Sequence, residues 1–364
     1  LKTVYNFNPG PAIAAPVVVE KLAESLKSFG GTALGIHELS HRSPVFENYL
    51  NQTIEKIRLL ANLSTDYEVL FTTGGATQQF SMVPMNLLDA DSVGNYVITD
   101  HWSEKALEEA KKFGKTHIAS STKNSGYKNV PSDHSLSSNP AYLHITTNNT
   151  LVGTEFFSYP KFQGVPLVAD ASSDIFSREI DHSQFALLYA GSQKNIGITG
   201  ITLIIIRKDL LDRSAKKSNL PILMNYNTYS KNNSLYNTIP TVSFFALSET
   251  ITWLLETGGL KAREQLNREK AEILYAAIDR NPCYLPHADK EARSLMNVTF
   301  RISTGKAIDE DLEKRFVKEA QDNGLWGLKG HRIVGGIRAS IYNAFPKEGV
   351  IALAEFMDDF AKKL

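Results

Sequence analysis

Residues 185–211 read FALLYAGSQKNIGITGITLIIIRKDLL. Two apolar, β-prone runs flank a short polar turn, and Lys194 stands inside that turn. Taken alone, a lysine in such a loop is a solvated surface residue, so the chain around it has to decide the reading. Upstream, β-type runs (YEVLFT, VGNYVIT, THIAS, AYLHIT, VPLVAD, FALLYA) are interspersed with helical patterns: residues 40–63, ATQQFSMVPMNLL and SEKALEEAKKFG. Strands alternating with helices over this length predict an α/β fold, a mostly parallel sheet covered on both faces. Downstream, from about Pro240, a long helical tract broken at Gly258-Gly259 reads as a bridge between lobes. After it the order strand SLMNVTFRIS, helix DEDLEKRFVKEAQDNG, strand RIVGGIRASIY, helix EGVIALAEFMDDFAKKL predicts a small α+β lobe. The polar stretch within residues 120–140 reads as a long loop.

The 364 residues are 42% hydrophobic and 21% charged, which suits a globular chain with a sizeable core divided into two lobes. Lys+Arg and Asp+Glu balance at 39 each, so no overall field attracts nucleic acid or an anionic membrane. Cys283 is the single cysteine; no intramolecular disulfide forms, and a reducing, cytoplasmic setting is expected. The N-terminal residues do not read as a secretory signal, and the longest apolar runs break on charges before the roughly twenty residues a bilayer span needs. The chain opens on Leu1 rather than Met, which fits a processed start or an added residue. No metal site is expected.

In an open parallel sheet, ligands gather at the carboxyl ends of the strands. Asp170 ends the run VPLVAD and Lys194 follows the run FALLYA, so both should face one crevice. A pyridoxal phosphate enzyme needs this pair: an amine to form the Schiff base, and a carboxylate to keep the pyridine nitrogen protonated. A capping aspartate and a solvated lysine remain the alternative on these two residues alone. FTTGGATQQF, residues 71–80, runs from a strand through Gly-Gly into a helix and offers backbone N–H groups to a phosphate, without being a P-loop or a dinucleotide fingerprint. Trp102 follows another strand, where an aromatic ring can stack on a pyridine or simply pack. Thr150 and Gln193 are short polar groups beside these positions. His41 and Arg42 form one basic cluster, and His331, Arg332 and Arg338 another, suited either to anion recognition or to surface ion pairs.

Taken in order, NFNPGPA, GIHELSHRS, FTTGGATQQF, VADASSDIFSREID, AGSQKNIG, YNTIPT and HRIVGGIRASIYNAF resemble the phosphoserine aminotransferases, class V aminotransferases of the aspartate aminotransferase fold (pyridoxal phosphate fold type I). The resemblance spans nearly the whole chain. It implies transfer of the amino group of L-glutamate to 3-phosphohydroxypyruvate in serine biosynthesis, ping-pong through a Lys194 Schiff base, with a related phosphorylated oxo-acid of pyridoxine biosynthesis as a second substrate in some members. It implies Lys194, Asp170 and Trp102 as catalytic residues. Ala76, Thr77, Thr150 and Gln193 would hold the cofactor, with Asn237 and Thr238 reaching its phosphate from the other subunit of a homodimer. His41, Arg42, His331, Arg332 and Arg338 would bind substrate anions. Residues 16–261 are expected as the large cofactor domain and 262–364 as the small domain, with 1–15 packing near the latter. Thr77 and Pro9 depart from the family pattern, in which many bacterial members carry arginine and serine there. Alanine–glyoxylate aminotransferase is the nearest rival. A cysteine desulfurase is disfavoured because Cys283 lies in the C-terminal lobe, a nucleotide-binding oxidoreductase lacks its fingerprint here, and a non-catalytic binding protein would have no use for the full lysine, acid and arginine set.

Overall fold

The computed structural model describes residues 3–305 and 307–364. Its largest element is a seven-stranded sheet made of β1 (Tyr67–Thr73), β2 (Val93–Ile98), β3 (Lys115–Ser121), β4 (Pro140–Thr146), β5 (Leu167–Asp170), β6 (Leu187–Gly191) and β7 (Ile201–Arg207). Across the sheet the order is β1-β7-β6-β5-β4-β2-β3. All pairings are parallel except those of β7, which runs antiparallel to both β1 and β6. The reversal has a simple cause. Only residues 192–200 connect β6 to β7, and a parallel return needs a crossover of about a dozen residues or more.

Strand β7 is buried on both faces, and its alternation assigns each side chain to a layer. Leu203 and Ile205 join an apolar cluster with Phe46, Phe71 and Phe244, while Ile204 and Ile206 join another with Val83, Tyr189 and Tyr226. One layer includes helix α1 (Pro44–Leu60), opened by Ser43, whose hydroxyl accepts from Phe46 N at 3.3 Å. The other includes α2 (Gln79–Leu87) and α3 (His101–Ala110).

The predicted bridge is two helices, α4 (Thr241–Glu256) and α5 (Gly259–Arg280). Gly258 between them has φ +97°, a left-handed backbone that a side chain would strain. Beyond α5, strands β8 (Tyr284–Pro286), β9 (Asn297–Ile302) and β10 (Ile337–Ser340) form an antiparallel sheet with its own core, including Leu274, Phe300, Phe316 and Met357. Helices α6 (Glu310–Asp322) and α7 (Lys347–Ala361) complete this lobe. Phe7 of the N-terminal segment is buried in the same core, and Tyr5–Asn6 pairs in parallel with Leu325–Trp326.

Candidate active site

The carboxyl ends of the central strands converge on one cavity. Ala76 and Thr77 after β1, Trp102 after β2, Thr150 after β4, Asp170 at the end of β5, and Gln193 with Lys194 after β6 all line it. The sequence reading thus brought seven of its residues to the same place. Phe80, Asn148, Ser172 and Ser173 line it as well. The two serines lie within the DASSD stretch already singled out, so their signal was present.

Each group is held by an identifiable device. Gly74 has φ +108° and donates its N–H to Gly200 O at 2.9 Å, which turns the chain sharply out of β1. Ala76 and Thr77 follow in a single 3-10 turn that leads into α2, and their N–H groups have no acceptor within that first turn. A Cβ at Gly191 would lie 2.7 Å from Gln193 Oε1 and 3.4 Å from Ala76 N, so glycine lets β6 end close against this cup. Trp102 is set by an N-cap: Asp100 Oδ1 accepts from Trp102 N at 2.8 Å and from Ser103 N at 3.0 Å. Asp100 was missed in the sequence, although an acid just before a helical run is a readable cap.

Asp170 is buried, and its Oδ1 accepts from Ser172 N at 2.9 Å. Burial raises its pKa, opposed by the Ser172 hydrogen bonds and the charge of Lys194. Lys194 Nζ donates to Thr150 Oγ1 at 3.0 Å. The N-terminal segment closes one side: a Cβ at Gly10 would lie 3.4 Å from Lys194 Cγ, and Ala12 N donates to Gln193 O at 2.9 Å.

The basic residues separate into two groups. Arg338 on β10 is buried; its Nη1 reaches Thr150 O at 3.5 Å and its Nε has no partner. It therefore stands one residue away from Lys194. His331 lies beside His101, ring centroids 6.5 Å apart, and Arg332 is exposed next to it. Burial and the charges of Arg338, His101, Arg332 and Lys105 lower the His331 pKa, which marks this rim as electropositive. His41, Arg42, Asn237 and Thr238 do not reach the cavity. Arg42 Nη2 donates to Tyr236 O at 3.2 Å and Asn237 Nδ2 to Thr73 Oγ1 at 3.3 Å, so these residues gather by the sheet edge at β1.

A lysine, a buried carboxylate, a half-buried tryptophan at a helix start and an N–H cup for a phosphate ester fit pyridoxal phosphate, with the glycine at 191 leaving room where a side chain would intrude. The fold and the site together define a pyridoxal phosphate enzyme. The aminotransferase class-V family model matches residues 4–353. A phosphoserine aminotransferase of Herpetosiphon aurantiacus is 49% identical over 364 residues, covering 99% of each chain. A solved phosphoserine aminotransferase, studied for radiation damage of its Schiff base, superposes with TM-score 0.97 at 46% identity over 100% of each chain. The pyridoxal phosphate-bound phosphoserine aminotransferase of Trichomonas vaginalis superposes with TM-score 0.92 at 35% identity, over 98% of this chain and 99% of that one. The chain belongs to the class V aminotransferases and, within them, to the phosphoserine aminotransferases.

Proposed function

We propose that this enzyme moves the amino group of L-glutamate to 3-phosphohydroxypyruvate in two half-reactions at one site, yielding O-phospho-L-serine and 2-oxoglutarate. The observation that carries the reading is the meeting of Lys194, Asp170 and Arg338 around Thr150 and the N–H cup. Pyridoxal phosphate supplies the carbonyl that takes up the amino group and the ring that accepts the electron pair left at the substrate's α-carbon.

In this reading the protein's own groups divide the remaining work. Lys194 provides the amine that anchors the cofactor; once displaced, its Nζ carries the proton to and from the α-carbon. Thr150 Oγ1 accepts from that Nζ and fixes where it rests. Asp170, in its ionised form, would pair with the ring nitrogen and favour its protonated state. Trp102 would pack against the ring, and the N–H groups of Ala76 and Thr77, with Gln193, would hold the phosphate ester. Arg338 pairs with the substrate carboxylate through donors it does not use within the chain, and the His331–Arg332 rim attracts the second anionic group. With several cations at the rim, Thr77 in place of an arginine leaves the site still electropositive.

A homodimer belongs to the same proposal. His41, Arg42, Asn237 and Thr238 cluster by the sheet edge, apart from their own chain's cavity, which is where residues serving a second copy's site belong. Residues 16–261 act as the cofactor domain and 262–364 as the small domain. A cytoplasmic enzyme of serine biosynthesis is the setting proposed, with the phosphorylated oxo-acid of pyridoxine biosynthesis as a further substrate. Among the described residues no helix is long and apolar enough to cross a membrane.

The test is the cofactor's absorption spectrum with phosphoserine, glutamate and alanine added separately. Phosphoserine and glutamate are expected to bleach the carbonyl form and alanine to leave it. A protein bleached by alanine but not by phosphoserine has a different substrate.

A further inference from the structure

The reading of Asp170 as the carboxylate that faces the ring nitrogen leaves a second buried acid without a task. Asp174 lies four residues further on and is almost fully buried. We propose that Asp174 stands as a neutral carboxylic acid that donates its proton to Thr147 Oγ1, freeing the Thr147 hydroxyl to donate to the main-chain carbonyl of Asp170, so that Asp174 and Thr147 are positioning residues for the cofactor-facing carboxylate. The proposal rests on the role given to Asp170 above.

The first argument is a proton count. Thr147 Oγ1 is hydrogen-bonded to Asp174 Oδ1 and also lies 3.1 Å from Asp170 O, in bonding geometry with both. A hydroxyl has one proton, and a carbonyl can only accept. Both bonds form together only when the carboxyl supplies the proton for its own. Thr147 N adds a third tie, donating to Asp170 O at 2.9 Å. The end of β5 is thus held by one residue through two bonds, and that residue is held by Asp174.

The second argument is a charge count. Asp170, Asp174 and Glu155 are all buried, and Arg178 is the guanidinium hydrogen-bonded within this group, to Glu155. Arg178 is committed elsewhere: its Nε meets Glu155 Oε1 at 3.1 Å, and its Nη2 donates to Phe156 O at 2.5 Å and to Tyr159 Oη at 2.8 Å. Lys194 is the cation whose charge acts on Asp170. Among the described residues no cation is hydrogen-bonded to Asp174. An ionised Asp174 would be a lone charge in a dry interior beside two other carboxylates, which is the least favourable of the available states.

The groups facing Asp174 are Asp170 and Arg178 from its own segment, Glu155 and Tyr159 from the hairpin strand and the loop after it, and Thr147 from the end of β4; Arg268 of α5 acts on Glu155. Burial first, then the Glu155 charge, push the Asp174 carboxyl up to about 8, with the Arg178 charge acting against them; the Thr147 hydroxyl opposes them only when it donates to the carboxylate instead of accepting from the acid. Near neutral pH the proton is present. The consequence for the site is that Asp170 keeps its charge without a like-charged neighbour competing for protons. Above pH 8 that protection lapses and the hold on the cofactor weakens.

The test uses the holoenzyme labelled with isotopic aspartate. Infrared difference spectra, wild type minus Asp174→Asn, should show a protonated carboxylic C=O stretch at pH 7 that fades near pH 8, and the pH titration of bound cofactor should show an alkaline transition there in wild type only. Asp174→Asn keeps a donor to Thr147, so cofactor affinity at pH 7 should stay within about twofold, while Asp174→Ala should lose about tenfold. Thr147→Val should reproduce the alanine result, which separates the relay from a folding defect at position 174. Wild-type spectra without a protonated aspartate at pH 7, or an alkaline transition that survives in Asp174→Asn, would overturn the assignment. Neither outcome touches transamination itself, which fails separately if Lys194→Ala turns over normally.

Discussion

Two regions of this molecule take cations out of bulk water, and they treat them in opposite ways. In the C-terminal lobe, Lys270 of α5 is fully buried and gives its three N–H groups to Ile341 O at 2.9 Å, Tyr342 O at 2.7 Å and Phe345 O at 3.2 Å. Burial lowers its pKa, yet three carbonyls match the three donors of an ammonium; a neutral amine would set its lone pair against one of them. Nearby, Arg178 is matched by Glu155, Phe156 and Tyr159. At the strand-end cavity the pattern reverses. Lys194 has one partner, Thr150, and Arg338 is buried with its Nε free and one long bond. Saturated cations hold the architecture together. At the cavity, half-buried Lys194 and buried Arg338 keep donors open that can meet a ligand's charge.

The sharpest way to break this comparison is to truncate one lysine from each region. Lys194→Ala should lower transamination by a factor on the order of 10³ or more while leaving unfolding free energy within about 1 kcal/mol, read from single-turnover absorbance and a urea titration. Lys270→Ala should do the reverse. Tyr342 O keeps its bond from Phe345 N, but Ile341 O and Phe345 O lose the ammonium, and about 1 kcal/mol or more for each gives a loss of at least about 2 kcal/mol, with turnover per folded molecule retained. Equal stability losses in the two variants would erase the distinction between the regions.

The arginines make the same contrast at a slightly smaller scale. Arg178→Ala leaves Glu155 buried and unpaired and should cost about 3–5 kcal/mol of stability. Arg338→Ala should change stability by no more than about 1 kcal/mol and raise KM for both glutamate and phosphoserine, by about thirtyfold if one charge-assisted pair worth ~2 kcal/mol is lost. Arg338→Lys should recover only part of this, because an ammonium cannot form the two-pronged carboxylate pair.

How far these regions are legible in the sequence follows the same division. The cavity could be read because each contribution sits at the end of an apolar run: VPLVAD ends in Asp170, and AGSQK and FTTGGA follow runs of the same kind. In a parallel sheet, such ends are neighbours by construction. The saturated network could not be read. Glu155 in VGTEFF and Arg178 in IFSREI look like surface charges, and only the Asn148–Asn149 and Thr154–Glu155 hairpin brings the acid back against the arginine. Lys270 sits in a charged helical pattern, NREKAEIL, with nothing to distinguish it from its solvated neighbours. Nor could the sequence divide the two basic clusters: Arg338 reaches the cavity and Arg42 lies at the sheet edge, because β10 crosses over Thr150 whereas residues 41 and 42 precede α1 on the far side. Tertiary path, not composition, decides between them.

Histidines extend the comparison to pH. His182 is buried with neither ring nitrogen bonded to a side chain, and burial holds its pKa down at about 4; His144, bonded to Tyr189 Oη at 2.9 Å, is held down at about 3. Both are therefore neutral in the fold where an unfolded histidine takes a proton. A folded pKa below the unfolded value means stability is complete above about pH 6.5 and is lost as the pH falls toward 4. Each group should remove about 2 kcal/mol between pH 6.5 and 5, since the slope is ~1.4 kcal/mol per unit. His331, at the wet rim with its neighbours already cationic, is lowered too but only partly buried, and its replacement should leave the acid slope nearly unchanged. Urea titrations at half-unit pH intervals read the effect directly. His182→Gln should take away about half of the slope that the His182→Gln, His144→Gln pair removes; if His331→Gln flattens it instead, the titrating histidines lie at the site and not in the core.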